Sequence, residues 1–572
     1  MSTSLPQFSL EEIPFSMRGS WLNLSPIIGL NERSDHVHLV SHTGGIHPIF
    51  AFVPTRDGVE LSAPVTANPA ALSWDCGSSA RMRATFASPS RLLLAGEGVD
   101  LTLSEASSAL TPFTGSYLFL DPMDSAAVLT SYETGRRYRV TVQRGEMEIV
   151  GAEALGDAER AVVVTGSDGW EIAIEEFDTS AVSASEPVLA FDDAVANSAS
   201  MFAEYVDKIA NWRRPETAGT VELAAYVMWS ATVAPAGFLS RESVLMSKHW
   251  MDKVWSWDHC FNAIALAGGL PDAAIDQFLA PFDHQEPGGA MPDSITHSEV
   301  LYNFVKPPIH GWALRRLRAA ASAPVSRDQL VEVYEHLADW TRFWLEQRTA
   351  PGRQIPHYQH GNDSGWDNST MFDIDRVVEA PDLAAFLAVQ MDVLADLADE
   401  LDIAAGDSWR QRSERMQRAL LDELRDAEGF FARGVLSGQK STRTSLLPLL
   451  AVVIADRLPT ELGDQLASQI EEHLTEWGPA TQRPDTVEYE ADGYWRGPIW
   501  APSTVLIEDG LRRGGYTELA DAVSSRFRAL CERSGFAENF DALSGEGLRD
   551  RAYTWTASAY LMLARDSAHR VS

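Results

Sequence analysis

The stretch RDQLVEVYEHLADWTRFWLEQ, residues 327–347, repeats apolar side chains at Leu330, Val333, Tyr334 and Leu337. Steps of three and four put these on one helical face, with Asp, Glu and Arg on the other. The pattern recurs in PDAAIDQFLAPF (271–282), PDLAAFLAVQMDVLADLADEL (381–401), WRQRSERMQRALLDEL (409–424) and YTELADAVSSRFRALCERSG (516–535). Roughly eleven or twelve helices fit between residues 216 and 572. The pairs vary in length and no signature recurs, which argues against an open solenoid. A train of helices without strands is expected to close into a ring of helical hairpins, an (α/α)6 barrel.

Upstream the texture differs. From about residue 15 to 190, short β-branched segments alternate in polarity, as in RYRVTVQRGEMEIV (137–150), ERAVVVTG (159–166) and WEIAIEEF (170–177). Gly, Asp and Ser separate them, and the expectation is a β-sandwich. The chain of 572 residues exceeds what one core usually serves. It is therefore read as a multidomain protein: an N-terminal β-sandwich over 1–190, a linking helix over 191–215 and an all-α catalytic domain over 216–572.

Composition narrows the function. A net charge of -35 argues against a polyanionic partner such as nucleic acid, whose binding relies on Lys and Arg. It is most simply a solubility feature. Three cysteines, Cys76, Cys260 and Cys531, lie far apart without a CxxC or Cys/His metal spacing. The first residues lack the basic start and apolar run of a secretory signal, and no apolar run of about eighteen residues occurs. A cytoplasmic enzyme without a membrane span or a cofactor is expected. Oligomeric state leaves no mark in the pattern.

Chemistry concentrates in loops that precede helical stretches. They are DKVWSWDHCFNAIAL (252–266), GGAMPDSI (288–295), KPPIHGWAL (306–314), GNDSGWDNST (361–370), YWRGPIWAPS (494–503) and ENFDALSGEGLRDRAYTWTASAYL (538–561). Each joins aromatic residues to Gly, Pro or carboxylates. In a helical barrel such loops can collect at one end. Indole faces beside polar edges suit a sugar ring, so a small carbohydrate is the expected ligand.

Glycosidic hydrolysis requires two carboxyls, one protonated and one ionised. Asp367 suits the acid, because Trp366 beside it would desolvate the carboxyl and hold its proton near neutral pH. The bland alternative is a helix cap in Asp-Asn-Ser-Thr. For the base, Glu538 and Glu546 are both candidates, with Asp541 a further rival. His357 and His360 in HYQH resemble a metal pair but have no firm third ligand, and surface or supporting roles are expected.

Together these blocks, over about residues 240–565, resemble the catalytic domain of glycoside hydrolase family 63 and its bacterial relatives. Those relatives include α-glucosidases and the mannosylglycerate and glucosylglycerate hydrolases, with trehalases more distant. The resemblance implies an inverting glycosidase with Asp367 of GWDNS as general acid and Glu538 of ENFD as general base. It also implies that Trp255, Trp257 and Asp258, together with Tyr494, Trp495, Arg496, Gly497 and Trp500, wall the sugar subsite. Gly365, Trp366 and Trp555 join them as expected substrate-binding residues. Lys306 stands where relatives tend to carry Gln, and it meets an anionic aglycone or pairs with a neighbouring acid. The expected substrate is a small α-glucoside, a disaccharide or a glucosyl-polyol or glycerate. Trehalase-, mannosylglycerate hydrolase- and rhamnosidase-like activities are the alternatives within sugar hydrolysis. A non-catalytic sugar-binding protein is the alternative outside it. A sugar epimerase would need histidines in the late loops, and none occurs between residues 474 and 568.

Overall fold

The computed structural model describes residues 5–77, 80–106, 116–152, 159–180 and 189–571. The chain divides into two compact units that interleave in sequence. The first comprises Met1–Asp207, Ala225–Lys253 and Thr296–Ser298, and the second Lys208–Ala224, Val254–Ile295 and Glu299–Ser572.

The first unit is β-rich. Among the described residues it holds a seven-stranded and an eight-stranded sheet, and every strand pair in them is antiparallel. Alternation supplies the core: in the strand Arg137–Arg144, Tyr138 and Val140 are buried while their neighbours are partly exposed. The two sheets meet through such residues. Phe52 of strand His47–Arg56 in the first sheet lies 6.1 Å from Trp74 of strand Ala71–Asp75 in the second. The run 137–150 is not one strand. It breaks at Gly145, whose φ of +99° suits only glycine and whose missing Cβ leaves room for the Thr165 carbonyl oxygen, 2.6 Å from where that atom would sit. The chain thereby passes from the eight-stranded sheet to strand Glu146–Val150 of the seven-stranded one.

The helices are α1 (Phe191–Ile209), α2 (Ala218–Ala231), α3 (Asp258–Leu266), α4 (Pro271–Leu279), α5 (His310–Ala320), α6 (Arg327–Gln347), α7 (Pro381–Glu400), α8 (Gly406–Glu423), α9 (Thr460–Glu471), α10 (Ala501–Arg513), α11 (Thr517–Ser534) and α12 (Thr554–Val571). The α6 stretch starts on a capping box: the Ser326 side chain accepts from the Gln329 N–H, and the Gln329 side chain accepts from the Ser326 N–H. It buries the expected stripe of Leu330, Val333, Tyr334 and Leu337.

In the second unit α3 packs on α5, α5 on α7, and α7 on a 3-10 helix, Leu447–Arg457. That helix packs on α10, α10 on α12, and α12 returns to α3. Six helical segments therefore form a closed circuit. Against it lie α4 on α3, α6 and α8 on α7, α9 on the 3-10 helix, and α11 on α10 and α12. Burial follows the circuit: all nine residues of α3 are buried, whereas α8 buries six of its eighteen.

The expectation of helices without strands needs correction. Two-residue strands pair in the loops: Val254–Trp255 with Ser294–Ile295, His357–Tyr358 with Val378–Glu379, and Asn539–Phe540 with Gly547–Leu548. Two residues are too few to leave an alternating pattern in sequence, yet their ladder bonds fix the loops that matter.

Candidate active site

The expected loops lead into the circuit at successive points. Asp258 is the first residue of α3, Lys306 lies four residues before α5, and Asp367 lies in the segment before α7. Residues 494–500 run directly into α10, and Glu538 belongs to the hairpin before α12.

Five carboxyls there, Asp258, Asp293, Asp367, Glu538 and Asp550, are linked by one another's charge. Burial pushes the Asp258 carboxyl up to about 8, and the nearby charges of Asp293 and Asp367 add to the rise while Lys306 opposes it. Asp367 is raised in the same way, by burial first, with Asp293 reinforcing and Lys306 opposing. Glu538 is pushed up to about 8 by burial, then by Asp550 and Asp367; the Arg549 cation and a hydrogen bond from the Tyr494 hydroxyl work against the shift. Desolvation disfavours the charged form of each acid, and crowding of like charges compounds it.

The Asp367 loop is built by its neighbours. Asp363 is buried and accepts from the Val305 N–H at 3.1 Å, the Gln359 N–H at 2.8 Å and Arg348 at 2.8 Å. It is a structural carboxylate. Asp367 is not the cap of the following turn, since the Ser369 side chain accepts from the Met371 N–H instead. Asn368 next to it is tied to the 494–500 loop, donating to the Gly493 carbonyl at 3.0 Å and accepting from the Trp495 N–H at 3.0 Å.

On the other side, the Glu538 N–H donates to the Asp550 carbonyl at 2.7 Å, and the Trp555 indole N–H donates to the Glu538 carbonyl at 3.2 Å. Ile499 and Phe540 exchange both backbone bonds, at 2.8 and 3.0 Å, which locks residues 494–500 to this hairpin. Of the rival carboxyls, Glu546 is exposed at the hairpin tip. Asp541 accepts from the Leu543 and Ser544 N–H groups and so forms the turn. Glu538, 2% exposed, is the buried one.

Several residues expected to contact sugar pack against one another. Trp366, Trp495 and Trp500 are 0–1% exposed. Trp495 is sandwiched, its ring 4.7 Å from Trp366 and 3.9 Å from Trp500. With both faces covered it has none to offer a ligand. The Trp366 indole anchors the Asp367 loop on this stack, and burial is the main cause of the raised Asp367 carboxyl. Trp257 and Trp555 meet edge to face at 5.7 Å and extend the same cluster.

Gly365, with φ +75°, lets the backbone approach the Trp257 ring, which would lie 2.6 Å from a Cβ. Gly497 does the same toward the Glu490 carbonyl at 2.1 Å. Arg496 donates to the Asn368 carbonyl at 2.7 Å and to Asp373 at 2.6 Å, so its guanidinium joins two loops. Lys306, 6% exposed, pairs with Asp293 at 2.9 Å and donates to the Asn362 carbonyl at 3.1 Å. Trp255 keeps partial exposure, and so does Tyr494.

Residues not singled out beforehand complete the centre. Asp293 and Arg549 stood in quoted blocks, but nothing in their spacing set them apart. Tyr494 and Arg549 both hold left-handed backbones, φ +63° and +60°, a conformation that costs a non-glycine residue of order 1–3 kcal/mol. Among the described residues no group of three or more His, Cys, Asp or Glu could hold a metal ion, and no helix is long and apolar enough to cross a membrane. His360 stacks on Phe304 at 5.0 Å.

Residues 251–556 match the family model described as mannosylglycerate hydrolase MGH1-like glycoside hydrolase domain. A mannosylglycerate hydrolase of Rubrobacter radiotolerans is 25% identical over 401 residues, spanning 54% of this chain and 89% of that protein. A glucosylglycerate hydrolase of Mycolicibacterium hassiacum is 22% identical over 441 residues, 59% of this chain and 97% of that protein. Among solved structures, a GH63 mannosylglycerate hydrolase from Thermus thermophilus in complex with glucose superposes with a TM-score of 0.52 at 20% identity. That match covers 60% of this chain and 99% of that one. At this identity the likeness concerns the fold.

Proposed function

This chain belongs to the mannosylglycerate hydrolase MGH1-like glycoside hydrolase family, and from that premise we propose that it hydrolyses a terminal α-glycosidic bond with inversion. The proposed substrate is a small α-glycoside of glucose or mannose, with glycerate as the leading aglycone because two of the relatives are named for glycerate glycosides. In this reading the helical circuit is an (α/α)6 barrel and the β-rich unit a β-sandwich. The three free cysteines, all buried, accord with a reducing, cytoplasmic setting.

The observation that carries the reading is that the two carboxyls stand on loops joined through residues 493–500: Asn368, next to Asp367, bonds Gly493 and Trp495, and Ile499 exchanges both backbone bonds with Phe540 of the Glu538 hairpin, while burial raises both carboxyls. Asp367 protonates the leaving oxygen while Glu538 takes a proton from a water on the opposite face of the ring. That water needs the carboxyls about 6.5–9.5 Å apart. Asp258, with one buried oxygen lacking a partner, accepts a sugar hydroxyl. Trp255 supplies the remaining indole surface. Glu538 works as a base only when ionised, so turnover climbs as pH approaches its value of about 8.

The test is hydrolysis of glucosylglycerate, mannosylglycerate and a panel of neutral α-glucosides, followed by proton NMR of the first-formed sugar. The β-anomer from an α-linked substrate is expected. Release of the α-anomer overturns inversion, and no turnover of any α-glycoside overturns the activity.

A further inference from the structure

Around Glu538 one cation makes more than one kind of contact. Arg549 donates to the Asn539 side-chain oxygen at 3.1 Å and to the Asp492 carbonyl at 3.3 Å. It pairs with the Asp492 carboxylate at 2.7 Å, and its guanidinium carbon lies 4.9 Å from the centre of the Tyr494 ring. Asn539 is the residue after Glu538, and the Tyr494 hydroxyl is among the groups that counter the rise of the Glu538 carboxyl. One planar fork therefore spans the base's hairpin and the loop 492–494 that faces it.

Both ends of this contact are held in left-handed backbone, Arg549 at φ +60° and Tyr494 at φ +63°. Of the six non-glycine residues with positive φ among the described residues, these are the two that touch each other. Such conformations persist where surrounding contacts over-determine them. Tyr494 is further fixed by its edge on Trp500 at 5.0 Å and by the Trp500 indole N–H donating to its carbonyl at 2.8 Å.

We propose that Arg549 is a positioning residue for the base: anchored on Asp492 and Asn539 and stacked on Tyr494, it holds the Glu538 carboxylate in one orientation and supplies its counter-charge. The proposal rests on Glu538 as base. Among the described residues, the charged and titratable groups that act most on Glu538 are Asp550 on the following segment, Arg549, Tyr494 and Asp367, with Tyr553 also beside it. Arg549 is the cation among them. The fork and the planar stack both depend on a guanidinium, which lysine cannot reproduce.

The variants are Arg549→Asn, whose side chain tolerates left-handed backbone, Arg549→Lys and Tyr494→Phe, assayed with glucosylglycerate and 4-nitrophenyl α-glucopyranoside over pH. For Arg549→Asn, kcat is expected to fall about 10- to 100-fold with KM within about threefold. The acidic limb of the pH profile is expected to move up by about one unit. Arg549→Lys returns the limb toward wild type and recovers only part of kcat. Tyr494→Phe moves the limb in the same direction as Arg549→Asn. A fall in Tm with an unmoved limb reduces Arg549 to scaffold and overturns the proposal. A rise in KM confined to glucosylglycerate, with kcat intact, also overturns it, because Arg549 then touches the aglycone. Glu538→Gln is run in parallel: if that variant stays active, the base assignment fails, whatever Arg549 does. If its rate falls to a measurable residue, adding Arg549→Asn is expected to lower that residue no further, and a further loss of about 10-fold shows that Arg549 acts apart from Glu538 and overturns the proposal.

Discussion

The Trp495 indole lies parallel to Trp500, ring centres 3.9 Å apart and planes 6° from coplanar. With Trp366 on its other face, it joins the acid's loop to the segment that starts α10. Trp495→Ala is therefore expected to cost about 3–5 kcal/mol of stability and to lower activity by loosening that loop. Trp255→Ala, at a partly exposed position, is expected to raise KM with little change in Tm. Thermal denaturation and steady-state kinetics on both variants check the contrast, and a reversed pattern would return Trp495 to the sugar.

Asp367→Asn is expected to keep the fold and to remove the proposed proton donor. With a poor leaving group kcat is expected to drop at least about 10²-fold. An activated aryl α-glucoside, whose leaving group needs little protonation, loses much less. Equal losses on the two substrates would take Asp367 out of the acid role.

Glu538→Ala is expected to stop hydrolysis while substrate still binds, whereas Glu546→Ala, at an exposed hairpin tip, keeps most activity. Azide added to the Glu538 variant attacks an activated α-glucoside from the vacated side and yields a β-glycosyl azide. Product analysis by mass and NMR decides it. Rescue in the Glu546 variant instead would exchange the two assignments.

Burial makes these acids a stability liability at high pH. Glu538 rises from 4.5 to about 8 and Asp258 from 3.8 to about 8. The native state thus holds protons that the unfolded chain has released, and stability falls as pH rises through the interval between the two values. Glu538→Gln and Asp258→Asn are expected to raise Tm at about pH 9 and to change it little at about pH 4. A Tm gain independent of pH would show that charge burial is not its source.

Lys306 and Asp293 are both buried and paired at 2.9 Å. Lys306→Gln leaves the acid without its partner and is expected to cost about 3–5 kcal/mol. The double variant with Asp293→Asn recovers much of that. The ratio of kcat/KM for glucosylglycerate over a neutral α-glucoside stays within a few-fold. A collapse of this ratio at unchanged Tm would mean that Lys306 meets the aglycone.

Periodicity alone located α4, α6, α7, α8 and α11, because a buried stripe must recur every three or four residues, as Leu330, Val333, Tyr334 and Leu337 do. It determined the change of texture from alternating strands to helices for the same reason. The acidic loops were also legible, since Gly, Asn and Asp clusters break helical and strand periodicity, but their burial was not: Asp363 and Ser364 are buried. Where each loop side chain packs was decided only in three dimensions. A tryptophan beside an acid reads alike whether its face is free or, like that of Trp495, covered on both sides. Lysine beside Pro-Pro reads alike whether it awaits a ligand or already holds Asp293. Glu538 and Glu546 occupy one short hairpin, and the ladder pairing Asn539 with Leu548 and Phe540 with Gly547 leaves one buried and the other at the tip. Burial is set by contacts between segments far apart in sequence. Spacing along the chain carries no record of which of those segments meet.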